Sequence, residues 1–300
     1  MKILITGSKG FIGRNLVKGL SEYDVTAISR DDFDLTDYIT TSKYLSDKYF
    51  DVVIHCACTG GSRLKKDDIS ILDQNLAMFY NLFYNKEHFG KFISFGSGAE
   101  IYKDKEPYGL SKKIIANIIT KTPNFYNLRL FAVFGSDELD TRFIKANLLR
   151  YINHEDMIIH QDKLMDFFYI EDLITVVKRY LIYESLPKQI NCVYKKAYTL
   201  QNICTYINEL GVHKVQIRIN NGAPFGHYFG IPPWLFYDTV GYNLIGWNCG
   251  IKKMYDELKK TKEKKDDFFN QIKELNEFVC RHDINRQISE EITRWIDQII

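Results

Sequence analysis

Hydrophobic positions in the first 183 residues recur in two forms: short unbroken apolar runs, and longer stretches with apolar residues three and four apart. The short runs predict strands at 2–6, 24–29, 51–56, 91–95 and 125–132, and the longer stretches predict helices at 11–20, 69–85, 109–120 and 170–182. A strand that is apolar throughout is buried on both faces, and such strands separated by amphipathic helices build βα units on a parallel sheet. The expected class is α/β, a doubly wound parallel sheet. Right-handed crossovers then bring the carboxyl ends of the first four strands to one edge, where ligands bind.

After residue 185 the pattern loosens. Residues 199–210 read as a helix and 214–219 alternate like a strand. Residues 220–234 hold three prolines and three glycines, with Phe225, His227, Tyr228, Phe229 and Trp234 among them. A loop this aromatic either packs over the core or lids a pocket, and packing is the favoured expectation. From Met254 the chain becomes highly charged. Beyond that, Phe268, Ile272, Leu275, Phe278 and Val279 recur at helical spacing, as do Ile288, Ile292, Trp295, Ile296 and Ile299. The expected division is 1–185, with 136–165 contributing to the following region; 186–261 as that smaller region; and 262–300 as a helical appendage. The appendage would need a partner surface, in cis or from another subunit.

Composition narrows the class. Three hundred residues, 45% hydrophobic, can bury a large core. Forty basic and thirty-eight acidic residues leave a net charge of +2, and the charges are interspersed, so no nucleic acid or membrane partner is expected. Gly7 comes too early for a signal peptide, and no apolar run reaches bilayer-spanning length. Six cysteines are scattered without metal-type spacing, which points to free thiols in a reducing cytoplasm and to no metal site.

Two segments carry the chemistry. Lys2-Ile3-Leu4-Ile5-Thr6 runs straight into a turn with Gly7, Gly10 and Gly13. Such a turn presents backbone N–H groups and a helix N-terminus to a pyrophosphate. Ninety-five residues after Gly13 comes Tyr108-Gly109-Leu110-Ser111-Lys112. Tyr108 and Lys112 share one helix face, where an ammonium can hold a phenol near its anionic form. In this order the two segments point to a nicotinamide dinucleotide beside an acid–base phenol, hence to an oxidoreductase. His55, Cys56 and Cys58 read as packing at a strand end. Glu100 and Asp104 read as solvated loop acids at least as well as functional groups.

Several further pieces carry a resemblance: Asp34-Leu35-Thr36-Asp37, Val53-Ile54-His55-Cys56-Ala57, Asn75, Ser94-Phe95-Gly96-Ser97-Gly98-Ala99 and Pro107-Tyr108-Gly109-Leu110-Ser111-Lys112. Further along are Leu128-Arg129-Leu130-Phe131-Ala132-Val133-Phe134-Gly135, Asp166-Phe167-Phe168-Tyr169-Ile170-Glu171-Asp172-Leu173 and Leu244-Ile245-Gly246-Trp247. With these, the chain resembles an extended short-chain dehydrogenase/reductase of the sugar-nucleotide epimerase/dehydratase/reductase family, nearest its GDP-fucose synthase-like and 4-ketoreductase branch.

The resemblance implies a Rossmann domain with Ser97, Tyr108 and Lys112 as the catalytic set, although Gly98 aligns almost as well as Ser97 with the usual serine. It implies cofactor contacts from Gly7, Lys9, Gly10, Phe11, Ile12, Gly13, Ser29, Arg30, Asp34, Leu35, Cys56, Ala57 and Asn75, together with Tyr108 and Lys112. The second strand ends in Ser29-Arg30 with no acid before Asp31, and Lys9 projects from the glycine turn. Cations there suit a 2′-phosphate, so NADP(H) is expected as the preferred cofactor and NAD(H) as the alternative. The substrate implied is a nucleoside-diphosphate sugar touched by Gly98, Ala99 and Glu100. Met165 stands where the family commonly has a diphosphate-binding arginine, which leaves Arg142, Arg150 or Lys163 to serve.

Other departures refine the activity. Ala132 replaces a family asparagine, and the segment from Ser97 to Tyr108 is short. The cysteine and histidine of the GDP-fucose synthase epimerase step have no counterpart; Ala99 or Glu100, and Arg142, stand nearest. The expectation is NADPH-dependent reduction of a 4-keto-6-deoxy sugar nucleotide to a deoxysugar nucleotide for glycan synthesis, in a cytoplasmic homodimer. The alternatives are a 4-epimerase that keeps NAD bound and, ranked lower, a 4,6-dehydratase, for which Glu100 supplies only one acid of a pair. A non-catalytic Rossmann-type binding or regulatory protein is the alternative of another class, and the presence of both Tyr108 and Lys112 speaks against it.

Overall fold

The computed structural model describes residues 1–62, 65–220, 224–233 and 244–281. The elements, in chain order, begin with β1 (Lys2–Thr6), α1 (Phe11–Gly19), β2 (Asp24–Ile28), α2 (Tyr38–Leu45), β3 (Phe50–His55), α3 (Ile69–Phe83), β4 (Phe89–Ser97), α4 (Ala99–Tyr102), α5 (Pro107–Lys121) and β5 (Phe125–Leu130). They continue with β6 (Val133–Phe134), α6 (Phe143–Ile152), β7 (Met157–Ile159), β8 (Lys163–Met165), β9 (Phe168–Tyr169), α7 (Ile170–Ile182) and β10 (Gln189–Cys192). The last are β11 (Tyr198–Thr199), α8 (Leu200–Asn208), β12 (Ile217–Ile219), β13 (Gly226–Tyr228) and α9 (Trp247–Arg281).

Six strands form one parallel sheet in the order β10-β5-β4-β3-β1-β2. The apolar runs explain why. Ile3, Leu4, Ile5, Val53, Ile54, Phe92 and Ile93 are fully buried, as strands covered on both faces require. On one face, Phe79 of α3 and Ile115 and Ile119 of α5 join Phe92 and Phe125 in the core, with the Phe92 and Phe125 rings stacked at 4.7 Å. The register sets Thr6 beside His55 and Ser97 beside Leu130, so these residues end their strands along one edge of the sheet.

The doubly wound α/β expectation holds, with boundary changes that matter. β4 runs on to Ser97, and α5 starts at Pro107 rather than 109. The sequence reading did not anticipate α2, α6 or β10. In α2 the residues YITTSKYL are mostly β-branched or polar, and the helix depends on its cap, where the Asp37 carboxylate accepts the N–H groups of Ile39 and Thr40. The strand expected at 214–219 shortens to Ile217–Ile219, because the Asn208 side-chain amide takes both the N–H and the carbonyl of Val215. The aromatic segment is not all loop: Gly226–Tyr228 pairs in parallel with Lys163–Met165. Trp234 lies outside the described residues.

Residues Met1–Ile251 form one compact unit and Lys252–Ile300 a second. In the second, α9 continues to Arg281, with a Lys252–Asp256 ion pair at 2.9 Å and an exposed Phe268. The apolar positions from Ile288 to Ile299 lie outside the described residues. Among the described residues no helix is long and apolar enough to cross a membrane.

Candidate functional site

The site grows from the start of α5. Pro107 occupies its first turn, where a missing N–H costs nothing, and this places Tyr108 one turn below Lys112. Lys112 is buried; its Nζ donates to the Phe95 carbonyl at 2.9 Å and lies 5.7 Å from the centre of the Tyr108 ring. Ser97, at the end of β4, accepts the Ala99 N–H at 3.1 Å through its hydroxyl. Burial pushes the Tyr108 phenol above the ordinary tyrosine range, Cys58, Tyr228 and Glu100 add to that, and Ser97 opposes it. The expected near-anionic phenol is therefore not what the protein alone produces. The Lys112 ammonium is engaged with a carbonyl, and desolvation wins.

Glu100 is not a solvated loop acid. It is buried, accepts the Ser97 N–H at 2.9 Å, and forms an ion pair with Arg129 of β5 at 2.8 Å. A four-residue helix, α4, turns it back under β4, so its carboxylate holds the site from below. Arg129 in turn donates to the Asn191 side chain at 3.0 Å. Asp104 pairs with Lys113 at 2.6 Å.

At the other strand ends the geometry suits a dinucleotide. Gly7 has φ of 64°, and a Cβ there would lie 2.6 Å from the Ala57 backbone nitrogen. The β1–α1 turn can close only with glycine. Gly10 caps α1 without any side-chain hydrogen bond, so the first N–H groups of the helix have no side-chain cap. Phe11 and Ile12 lead into that helix, and Gly13 is buried against Gly7. This cradle fits a pyrophosphate. His55 donates to or accepts from the Thr6 hydroxyl at 2.9 Å, and burial, helped by Lys112, lowers its pKa to about 3, so it stays neutral. Burial also raises the Cys56 thiol, which keeps it inert, while Cys58 is exposed.

The loop after β3 rests on the phenol. Gly61 has φ of 72°, and a Cβ there would lie 2.9 Å from the Tyr108 ring. Asn75 braces this loop: its side chain exchanges hydrogen bonds with Thr59 at 2.9 and 3.0 Å and reaches Ser111 at 3.2 Å. Past β2, Ser29 binds the Asp32 carboxylate through its N–H at 2.7 Å, and Lys9 is ion-paired with Asp31. Arg30 is exposed, with Asp34 as a nearby carboxylate that itself accepts the Thr36 N–H at 2.9 Å. The Leu35 side chain is buried in the core.

The structure gathers Ser97, Gly98, Ala99, Glu100, Tyr108 and Lys112 into one group. Of the three cations offered as alternatives for the diphosphate, Arg142 caps α6 at one end, Arg150 lies in its last turn, and Lys163 opens β8. Eight residues of helix separate the two arginines by about 12 Å. Arg142 faces the buried Glu138 at 3.6 Å.

These features sit within a recognisable family. The sequence model described as the NAD dependent epimerase/dehydratase family matches residues 3–192, more than half of the chain. The chain belongs to this family. It is 26% identical over 233 residues to Protein CapI of Staphylococcus aureus, a match covering 60% of this chain and 69% of that protein. Its fold resembles a GDP-6-OMe-4-keto-L-xylo-heptose reductase from C. jejuni, with TM-score 0.72, 16% identity, and 87% and 98% of the two chains covered. It also resembles a dTDP-4-dehydrorhamnose reductase from Clostridium acetobutylicum, with TM-score 0.70, 19% identity and coverage of 86% and 99%. A Thermus thermophilus UDP-glucose 4-epimerase gives TM-score 0.68, 18% identity and coverage of 85% and 98%.

Within the family frame, two features stand out that the sequence reading assigned no role. Arg129 is the one charged residue in the mostly buried strand FYNLRL, a signal that a buried counter-ion must exist. Tyr228 had no such signal. Its phenol oxygen lies 3.5 Å from Ser97 Oγ although the two residues are 131 positions apart. In the same way, Asp137 fastens the loop after β6 to α1 through Arg14 at 2.7 Å and Asn15 at 3.0 Å.

Proposed function

We propose that this chain reduces a 4-keto-6-deoxy sugar nucleotide to the corresponding deoxysugar nucleotide, using NADPH. The observation that carries the reading is the convergence of Ser97 at the end of β4 with Tyr108 and Lys112 at the start of α5, where desolvation makes the partly buried phenol keep its proton. A phenol that holds its proton in the resting protein is suited to give it up to a developing alkoxide.

The glycine turn and Arg30 would hold NADPH, whose chemistry would be hydride donation to the substrate carbonyl carbon. Ser97 and Tyr108 donate hydrogen bonds to the carbonyl oxygen, and these strengthen as charge builds on it. Tyr108 then transfers its proton to that oxygen. Lys112, anchored on the Phe95 carbonyl, keeps its charge near the phenol ring and compensates the phenolate left behind. The loop at Gly61 covers the phenol and excludes water from it.

Three facts favour reduction over the other family chemistries. Glu100 is locked to Arg129, which removes the one acid a dehydratase would use beside the serine. Ala99 or Glu100, and Arg142, stand nearest in sequence to the cysteine and histidine that epimerisation at C3 and C5 would need. Two of the structural neighbours quoted above carry reductase names. The test is NADPH oxidation by the purified protein against GDP-, dTDP- and UDP-linked 4-keto-6-deoxyhexoses. Oxidation with one of them is expected. Silence with all of them, together with conversion of a UDP-hexose at C4 without net oxidation of cofactor, would instead support the epimerase reading.

A further inference from the structure

We infer that Tyr228 is a substrate-binding residue: its phenol and the Ser97 hydroxyl together hold one oxygen carried by the sugar. The inference deepens the reading above and rests on Ser97 facing the substrate.

Two hydroxyl oxygens converge at the end of β4 from distant parts of the chain. Tyr228 Oη lies 3.5 Å from Ser97 Oγ. That separation is long for a bond between the two hydroxyls, and it suits their sharing a third atom. An oxygen placed about 2.8 Å from each completes the triangle. Each hydroxyl can donate or accept, so the pair fits either a carbonyl or a hydroxyl of a sugar.

The chain makes room for this ring at one place. Gly98 follows Ser97, and a Cβ there would lie 2.8 Å from Tyr228 Cζ and 2.5 Å from Phe131 Cδ1. A side chain at 98 would thus push away the very carbon that carries the Tyr228 hydroxyl. The ring is also held in advance. Pairing of Gly226–Tyr228 with Lys163–Met165 sets Tyr228 beside Met165, and the ring packs between Tyr102 and Phe131, with centres 5.2 and 5.5 Å away. The surrounding strap, residues 226–231, is fastened through backbone atoms: Tyr102 Oη donates to the Phe229 carbonyl at 3.0 Å, Asn191 to the Ile231 carbonyl at 2.9 Å, and Gly230 N–H to Asp166 at 2.8 Å. A phenol ordered before the ligand arrives loses little freedom when it binds. Packing alone would be served equally by phenylalanine, so the hydroxyl is the atom to test.

The test is calorimetric binding to the full-length protein loaded with NADP. The probes are GDP-, dTDP- and UDP-linked 6-deoxyhexoses, each beside its bare nucleoside diphosphate. Tyr228→Phe keeps the ring against Tyr102 and Phe131 and removes only the hydroxyl. For the sugar nucleotide that wild type binds, affinity should fall roughly three- to tenfold, the worth of one hydrogen bond, while the bare nucleoside diphosphate binds within about twofold of wild type. An unchanged sugar-nucleotide affinity, an equal loss with the bare nucleoside diphosphate, or a wild type that binds none of the sugar nucleotides overturns the proposal. Binding needs no turnover, which separates it from the reductase reading. If no 4-keto sugar nucleotide oxidises NADPH while binding behaves as stated, that reading falls and the assignment of Tyr228 stands. If NADPH is oxidised and Tyr228→Phe binds as wild type does, the reverse holds.

Discussion

Glu100 and Arg129 form a buried bridge in which one carboxylate both accepts the Ser97 N–H at 2.9 Å and meets the Arg129 guanidinium at 2.8 Å. The Glu100 side chain is 2% exposed and that of Arg129 17%. Arg129→Met should strand the carboxylate without its cation and destabilise the fold by about 3–5 kcal/mol. Combining it with Glu100→Gln should recover much of that loss, because no charge is then left buried alone. Urea unfolding of the two single variants and the double variant measures this; equal losses in Arg129→Met and the double variant would count against it.

Tyr108→Phe tests the proton donor. Only the transition state uses the hydroxyl, so kcat should fall by about 10²- to 10⁴-fold while NADPH affinity stays within a small factor of wild type. Near-normal turnover would refute the assignment. Ser97→Ala should be severe too, and a silent Ser97→Ala would mean that another hydroxyl polarises the carbonyl.

Cofactor preference depends on the cluster after β2. Arg30 is exposed and offers a planar fork to a 2′-phosphate, whereas Lys9 is already tied to Asp31. NADPH should bind about tenfold or more tightly than NADH, and Arg30→Asp should reverse the order. Because the Lys9 charge is shared with Asp31, Lys9→Ala should matter less than the change at Arg30. Dissociation constants for both cofactors at fixed ionic strength decide it; a wild-type ratio near one would defeat this reading.

The strand ends were legible in the sequence because their signals are local. Gly7, Gly10 and Gly13 follow an apolar run, and Tyr108 and Lys112 sit four apart on one helix, so both groups reach the same sheet edge once the sheet is parallel. The fate of Glu100 was not legible. Its solvation depends on Arg129, twenty-nine residues away on the next strand, and no local pattern reports such a partner. Tyr228 was visible only as one aromatic residue in a proline-rich stretch. Its placement follows from pairing with Lys163–Met165, a three-residue strand too short to show a period. For the phenol itself, the charge of Lys112 is apparent in the sequence, whereas the desolvation that raises Tyr108 in the protein alone is not.

Glu138 gives the fold a pH dependence of known sign. Its carboxyl is buried, Oε1 has no hydrogen-bond partner among the described residues, and its pKa rises from 4.5 to about 8, with Arg142 and Lys145 only partly opposing the burial. The folded protein therefore holds this proton more tightly than the unfolded chain. Stability should decline as pH rises between those two values and level off above them. Glu138→Gln should flatten that decline and stabilise the protein more at pH 8 than at pH 5. Melting temperatures across the interval check it; an unaltered slope would show that other groups dominate.

The fastenings of the 226–231 strap have a consequence for how this protein can change. The carbonyls of Phe229 and Ile231 and the N–H of Gly230 are main-chain atoms, present whatever side chains those positions carry. The anchors, Tyr102, Asn191 and Asp166, all lie elsewhere in the chain. Side chains on the strap are thus free to be exchanged without loosening its grip, within the limit that Gly230 must stay small against Phe131. A library confined to positions 227, 229 and 231 should therefore leave the scaffold and the placement of Tyr228 intact.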